Sequence, residues 1–266
     1  MTEFDRGTAV RPGGDGAFQA TIDERWNVLR GPHGGYVAAI LLRAMTEALG
    51  DGTRMPRALT VFYPAAPRPG TASVACRVER AGRSMTTVTA RIEQDGAAAA
   101  LATAAFSAEW PEAIGFDHSE RPEVPDPEAI EPLDRGNLVP PFTQFVDFRP
   151  AVGGALMSGA DRAISGGWMR LREDHALDAP LVAMLADAWP PAVFPPATSP
   201  LAAPTIELSV YFRAPLPAAD DWVLGVFESK HARGGFFEED GTLWTRDGEL
   251  IAQCRQLALA LAFPGG

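Results

Sequence analysis

The chain has 266 residues, 46% of them hydrophobic, and a formal net charge of -11. This length and apolar content exclude a disordered chain and suit one large domain or two small ones. Because an acidic protein is repelled by nucleic acids and by anionic membranes, we expect neither as a partner.

The first ten residues, MTEFDRGTAV, carry acidic side chains and lack the basic and apolar regions of a signal peptide. The longest apolar runs, residues 37–42 and 257–263, are far shorter than the roughly 18 residues that cross a bilayer. We therefore expect a cytoplasmic protein. Its two cysteines, Cys76 and Cys254, have no metal-ligand spacing and are predicted to be buried reduced thiols.

The first half of the chain is predicted to be one helix followed by a meander of strands. A strand is predicted at Phe18–Ile22, and Gly-Pro-His-Gly-Gly at residues 31–35 then opens an apolar helix over residues 36–49. Pro-Gly, Ala-Gly and Asp-Gly turn signals separate four further strands, at residues 58–63, 71–80, 85–94 and 98–110.

The second half repeats this order after a linker. Residues 116–141 are rich in acidic residues and prolines without periodicity, which is typical of a linker. Beyond it, a helix is predicted over residues 181–189, with Pro180 at its first position. The predicted strands of this half are residues 142–149, 164–172, 205–212, 222–231, 235–245 and 250–263.

Local sequence also repeats between the halves. Residues 59–63, LTVFY, resemble residues 208–212, LSVYF, and both halves carry an Asp-Gly turn at nearly the same offset. We therefore predict an α+β fold of two tandem units, residues 1–115 and 142–266, each a long helix wrapped by an antiparallel sheet. Because such sheets leave edges to cover, we also expect a homo-oligomer, a dimer or higher.

Three residues in or beside the predicted helices are chemically unusual. Gly34 and Gly35 begin the first helix, where free backbone N–H groups favour an oxyanion, although the glycines would also suit a tight corner. Asp187 lies in an apolar helical run, where a carboxylate needs either partners or a solvent-facing stripe.

Two strand residues are further candidates. Alternation places Gln256 on the small-residue face of the last strand and Gln253 on the opposite face, and a structural role for the Gln256 amide is the alternative. Alternation also places the Thr205 hydroxyl on the face of Glu207 and Ser209, where an ordinary strand threonine is the alternative.

Six stretches together resemble the TesB-like acyl-CoA thioesterase family, and they span nearly the whole chain outside the linker. They are residues 26–45, 59–65, 82–84, 185–188, 205–215 and 247–256. The resemblance implies a double hot-dog fold and hydrolysis of acyl-CoA to free acid and CoA. It implies neither a metal nor a cofactor nor a covalent intermediate, and coenzyme A enters only as part of the substrate.

In that family an Asp on the second helix, a Thr early in the next strand and a Gln on the last strand hold the attacking water. The resemblance assigns these roles to Asp187, Thr205 and Gln256, with Gln253 as the alternative for the last. Arg83, in a Gly-Arg-Ser turn between two strands, is a candidate for the CoA phosphates, and a plain surface arginine is the alternative.

Other functions remain as alternatives. A serine hydrolase is disfavoured because no G-x-S-x-G motif is present. A hot-dog enoyl-CoA hydratase would need an Asp and a His a few residues apart, and no His follows Asp187 closely. A non-catalytic acyl-CoA or lipid-binding protein would not need the three polar residues. The sequence leaves open the acyl chain and whether the carrier is CoA or a carrier protein.

Overall fold

The computed structural model describes residues 1–133, 140–216 and 221–262. Residues 134–139, part of the predicted linker, and residue 263, the end of the last predicted strand, lie outside the described residues. Among the helices in the described part, none is long and apolar enough to cross a bilayer. Cys76 and Cys254 are both free thiols, the first half-buried and the second buried.

The first half follows the predicted order of elements. They are α1 (Glu3–Thr8), β1 (Val10–Pro12), β2 (Phe18–Ile22), α2 (Gly34–Leu49), β3 (Met55–Phe62), β4 (Gly70–Ala81), β5 (Met85–Gln94) and β6 (Ala97–Ser107). The imidazole of His33 caps the start of α2 by accepting a hydrogen bond from the Tyr36 N–H. The helix ends at Gly50, whose φ of 64° is the left-handed conformation that glycine adopts most easily.

The second half keeps the order of the first. It contains β7 (Val146–Gly153), β8 (Ile164–Leu171), α3 (Ala179–Leu185), β9 (Leu201–Ala202), β10 (Thr205–Phe212), β11 (Val223–Glu228), β12 (Ala232–Arg233), β13 (Phe236–Thr245), β14 (Leu250–Leu259) and β15 (Leu261–Ala262). The strand predicted from residue 142 begins only at Val146, because Pro141–Gln144 form a turn of 3-10 helix. Pro140 and Pro141 fix the backbone there near helical φ.

The second helix is shorter than predicted. α3 has seven residues and ends at Leu185, so Asp187 and Trp189 lie beyond it. The N–H groups of Asp187 and Ala188 donate to carbonyls three residues back, which marks a tightened last turn. Trp189 precedes a proline, which disfavours a helical backbone at that position.

One antiparallel sheet runs through both halves. Its strand order is β1-β2-β4-β5-β6-β3-β10-β14-β13-β11-β8-β7, with β12 paired to β13. The two halves join at β3 and β10, where Leu59 lies opposite Val210 and Val61 opposite Leu208. Outward from this junction both halves repeat the same succession of strands, so the prediction of two tandem units is confirmed.

The two helices touch each other beneath the sheet. α2 packs against β4, β5 and β6 on one side and against α3 on another, and ten of its residues are buried. At Gly35 the backbones come so close that a Cβ atom would lie 2.5 Å from the Met184 carbonyl oxygen. This contact brings the end of α3 to the start of α2.

We expect Gly35→Ala to destabilise the fold, because the added methyl group would push the start of α2 away from the Met184 carbonyl. Forcing such a contact costs about 1–3 kcal/mol, measurable by urea unfolding. Gly52→Ala is the control, because nothing lies within 4 Å of a Cβ added there. Equal stability of the two variants would contradict this account of the helix contact.

Candidate active site

Asp187 lies at the point where the two helices meet. Its Oδ2 atom accepts a 2.7 Å hydrogen bond from the Gly35 N–H, at the positively polarised start of α2. The side chain is only 9% exposed. Burial raises the pKa of Asp187 above its ordinary value, while His33, the Gly35 N–H and Thr205 act in the opposite direction. The carboxylate is thus more basic than one in water.

His33 holds the backbone of Asp187. Its Nδ1 accepts the Tyr36 N–H at 3.1 Å, so the ring proton is on Nε2, which donates to the Asp187 carbonyl oxygen at 2.9 Å. The same Nε2 lies 3.6 Å from the carboxylate of Asp187. Burial lowers the pKa of His33, so the ring is neutral and this contact is no full ion pair. We conclude that His33 is a positioning group.

Thr205 reaches the buried face through an irregularity in its strand. The register of β10 against β14 shifts between Thr205 and Glu207, which places Thr205 opposite the buried Ala258. The prediction that its hydroxyl shares a face with Glu207 and Ser209 is therefore wrong, because a bulge turns the side chain inward. Its Oγ1 donates to Gln256 Oε1 at 2.8 Å and lies 3.4 Å from Asp187 Oδ1.

Gln256 lies on the face of β14 that alternation predicts. It is 6% exposed, between the buried residues Cys254 and Ala258. Gln253 and Arg255 point away and are exposed. Of the two glutamines, only Gln256 contacts Thr205 among the described residues.

Glu239 is a site residue that the sequence analysis missed. It is buried on β13, where its Oε1 accepts the Gln256 amide Nε2 at 2.7 Å and its Oε2 accepts the Ala192 N–H at 2.5 Å. Burial raises the pKa of Glu239 to about 7, against an ordinary value of 4.5, despite both donors. The alternation of buried and less buried residues along β13 could have indicated it, since Glu239 shares its strand face with the buried Phe237 and Leu243.

The two glycines of the first helix turn differ in their surroundings. The Gly35 N–H is already bound to Asp187, whereas no described residue accepts a hydrogen bond from the Gly34 N–H. Tyr63 fixes this turn by donating its hydroxyl to the Gly34 carbonyl at 2.9 Å. A Cβ atom at Gly34 would lie 2.8 Å from Asp187 Oδ2, so a glycine is needed for this approach.

Arg83 lies far from Asp187. It is exposed in the turn between β4 and β5, and its carbonyl oxygen accepts the guanidinium of Arg54 at 3.0 Å. Arg54 follows the end of α2, whereas Asp187 lies at its start, and the helix has 16 residues. At 1.5 Å per residue these ends are about 24 Å apart. The predicted role of Arg83 in binding the CoA phosphates therefore stays a prediction.

Comparisons with known proteins cover almost the whole chain. The N-terminal domain of the acyl-CoA thioesterase family matches residues 22–107, and the C-terminal domain of that family matches residues 117–260. A relative, the uncharacterized protein Rv0499 of Mycobacterium tuberculosis (strain ATCC 25618 / H37Rv), is 26% identical over an alignment of 270 positions that covers 92% of this chain and 91% of the relative.

Solved structures agree on the fold. A conserved protein of unknown function with a hot dog fold, from Alicyclobacillus acidocaldarius, gives a TM-score of 0.91 at 27% identity over 99% of both chains. The acyl-CoA thioesterase II TesB2 of Mycobacterium marinum gives 0.75 at 18% identity, over 99% of this chain and 100% of that one. The predicted double hot-dog fold is confirmed.

The buried Glu239 makes stability depend on pH. Its pKa is about 7 in the folded chain and near 4.5 when exposed, so its favourable contribution is complete below pH 4.5 and is lost as the pH rises through 7. Glutamine does not ionise, so Glu239→Gln lacks this loss. The free energy of unfolding of the variant, minus that of the parent, should therefore rise by on the order of 3 kcal/mol between pH 4.5 and pH 7. Urea unfolding at several pH values measures the difference.

Thr242→Ser is the matched control, because Thr242 lies on the other face of the same strand and carries no titratable group. Its stability relative to the parent should not change across the same window. A constant difference for Glu239→Gln would contradict the burial of an ionisable Glu239.

Proposed function

The chain belongs to the acyl-CoA thioesterase family, and from this we propose that it hydrolyses acyl-CoA thioesters to a free acid and CoA. One observation carries the proposal. The Thr205 hydroxyl lies 2.8 Å from the Gln256 amide oxygen and 3.4 Å from the Asp187 carboxylate, although the three residues are distant in sequence. We infer that these three polar groups hold the attacking water molecule.

In the proposed reaction Asp187 is the general base. Its Oδ1 takes a proton from the water as the water oxygen bonds to the thioester carbonyl carbon. The carbon–sulfur bond then breaks, and the proton passes from Asp187 to the departing thiolate. The raised pKa of Asp187 suits this role, because a more basic carboxylate is a better proton acceptor.

The hydrogen bonds around Asp187 Oδ1 support this assignment. The Thr205 hydroxyl has a single proton, and its shorter contact is with Gln256. Asp187 Oδ1 therefore keeps a lone pair for a water proton. The Thr205 oxygen can accept the second proton of the same water, which would fix its orientation.

The Gly34 N–H is the better of the two predicted oxyanion donors. The Gly35 N–H is engaged by Asp187, whereas the Gly34 N–H is the adjacent donor at the start of the same helix. A carbonyl oxygen placed there would receive a backbone donor and the positive end of the α2 dipole.

An enoyl-CoA hydratase is the weaker proposal, although His33 does lie beside Asp187 in space. Such a reaction needs an imidazole nitrogen free to transfer a proton. Both nitrogens of His33 are occupied, one by the Tyr36 N–H and the other by the Asp187 carbonyl oxygen. A non-catalytic acyl-CoA-binding protein is distinguished from an enzyme by turnover.

We expect Asp187→Asn to lower kcat by about 100- to 10,000-fold, because the amide cannot accept the water proton. KM should change little, since the shape of the site is kept. Release of free thiol from acyl-CoAs of several chain lengths, and from an acyl-carrier protein, measures turnover.

Asp178→Asn is the control, because Asp178 caps the start of α3 and asparagine caps a helix equally well. It should leave turnover unchanged. Parent-like turnover of Asp187→Asn would remove Asp187 from the mechanism, and a parent inactive on every thioester would favour the non-catalytic alternative.

A second variant pair decides between the two glutamines of β14. Gln256→Ala removes the partner of the Thr205 hydroxyl and should reduce kcat by about 100-fold through misplacement of the water. Gln253→Ala changes an exposed side chain of the same strand and should leave kcat unaltered. The opposite result would transfer the role to Gln253.

A further inference from the structure

We propose that Glu239 is a positioning residue that sets the orientation of the Gln256 amide and thereby directs the Thr205 proton away from Asp187. The inference rests on the proposed thioester hydrolysis at Asp187. The Glu239 carboxylate is 3% exposed, and its hydrogen-bond partners among the described residues are the Gln256 amide and the Ala192 N–H.

The orientation of the amide follows from what each group can donate. An ionised carboxylate accepts hydrogen bonds and donates none. Facing Glu239, Gln256 must therefore present its NH₂ group, as the 2.7 Å contact from Nε2 to Glu239 Oε1 has it. Its carbonyl oxygen is then turned to Thr205, which can only donate to it.

The orientation of the Gln256 amide affects the basicity of Asp187, the proposed base. With its proton directed to Gln256 at 2.8 Å, the Thr205 hydroxyl makes only the longer 3.4 Å contact with Asp187, and the carboxylate keeps most of its basicity. Were the amide reversed, its NH₂ group would donate to Thr205, and the Thr205 proton would turn to Asp187 Oδ1, 3.4 Å away. That proton would occupy the lone pair intended for water.

Glu239 also anchors the segment that follows Asp187. The N–H of Ala192 donates to Glu239 Oε2, while the preceding Pro190 and Pro191 have no N–H to offer. Trp189, nearer to Asp187, is fixed separately by its indole N–H, which donates to Ser165 Oγ at 2.7 Å. One carboxylate thus connects the segment after Asp187 with the strand that carries Gln256.

A protonated Glu239 would release the amide. The neutral acid can donate to the Gln256 oxygen, which permits the reversed amide. The groups that bear on this titration are Asp187 after α3, Glu238 on the same strand and Cys254 on β14, besides the Gln256 and Ala192 donors. We therefore expect activity to fall as the pH drops through the titration of Glu239.

Glu239→Gln tests the proposal, because glutamine keeps the shape and can donate as the neutral acid does. We expect kcat to fall by about 10-fold with KM unchanged. The decrease of kcat towards acid pH should also be smaller than in the parent, because Glu239 no longer contributes to it. In a Gln256→Ala background the same substitution should cause no further loss, because its effect passes through that amide. Equal losses in both backgrounds would overturn the proposal.

A readout without turnover separates this inference from the proposed function. The side-chain amide signals of Gln256 in a ¹⁵N NMR spectrum should shift with pH in the parent and in Asp187→Asn, and should stay constant in Glu239→Gln. If the parent hydrolyses no thioester, the proposed function fails, and the amide titration alone decides the orientation. Gln256 amide signals that do not respond to pH in the parent overturn the proposal. This measurement on the parent remains possible if Glu239→Gln fails to fold.

Discussion

The hydrogen bond from the Gly35 N–H to Asp187 joins the two halves of the chain at the proposed site. It exists because α2 and α3 approach to backbone contact at a glycine, and because α3 ends early and leaves Asp187 in a tightened turn. The positive end of α2 then faces a buried carboxylate. Thr205 and Gln256 of the second half complete the arrangement, so the site needs both tandem units.

The site combines a high density of buried polar groups with one open acceptor. Both oxygens of Glu239 and one oxygen of Asp187 have short donors, whereas Asp187 Oδ1 has only the long contact from Thr205 among the described residues. Buried carboxylates cost stability unless they are fully hydrogen-bonded. An incompletely bonded Asp187 is therefore a cost that a catalytic role would explain.

Regular periodicity predicted much of this architecture, and local irregularities account for what it missed. The apolar run that forms α2 and the alternation that buries Gln256 both follow from repeating backbone geometry. The inward turn of Thr205 depends on a bulge, and α3 ends in a tightened turn after Leu185, neither of which a regular period describes. Glu239 was overlooked although its alternation with buried neighbours was readable. The contact between Asp187 and Gly35 joins residues of different halves, which only the folded chain brings together.

The most direct test is a high-resolution crystal structure of Asp187→Asn with an unhydrolysed acyl-CoA bound. The account predicts one ordered water in contact with residue 187 and Thr205, about 3–3.5 Å from the thioester carbonyl carbon. The thioester oxygen should face the start of α2. A thioester bound away from these residues, or one that leaves no room for water beside residue 187, would contradict the account.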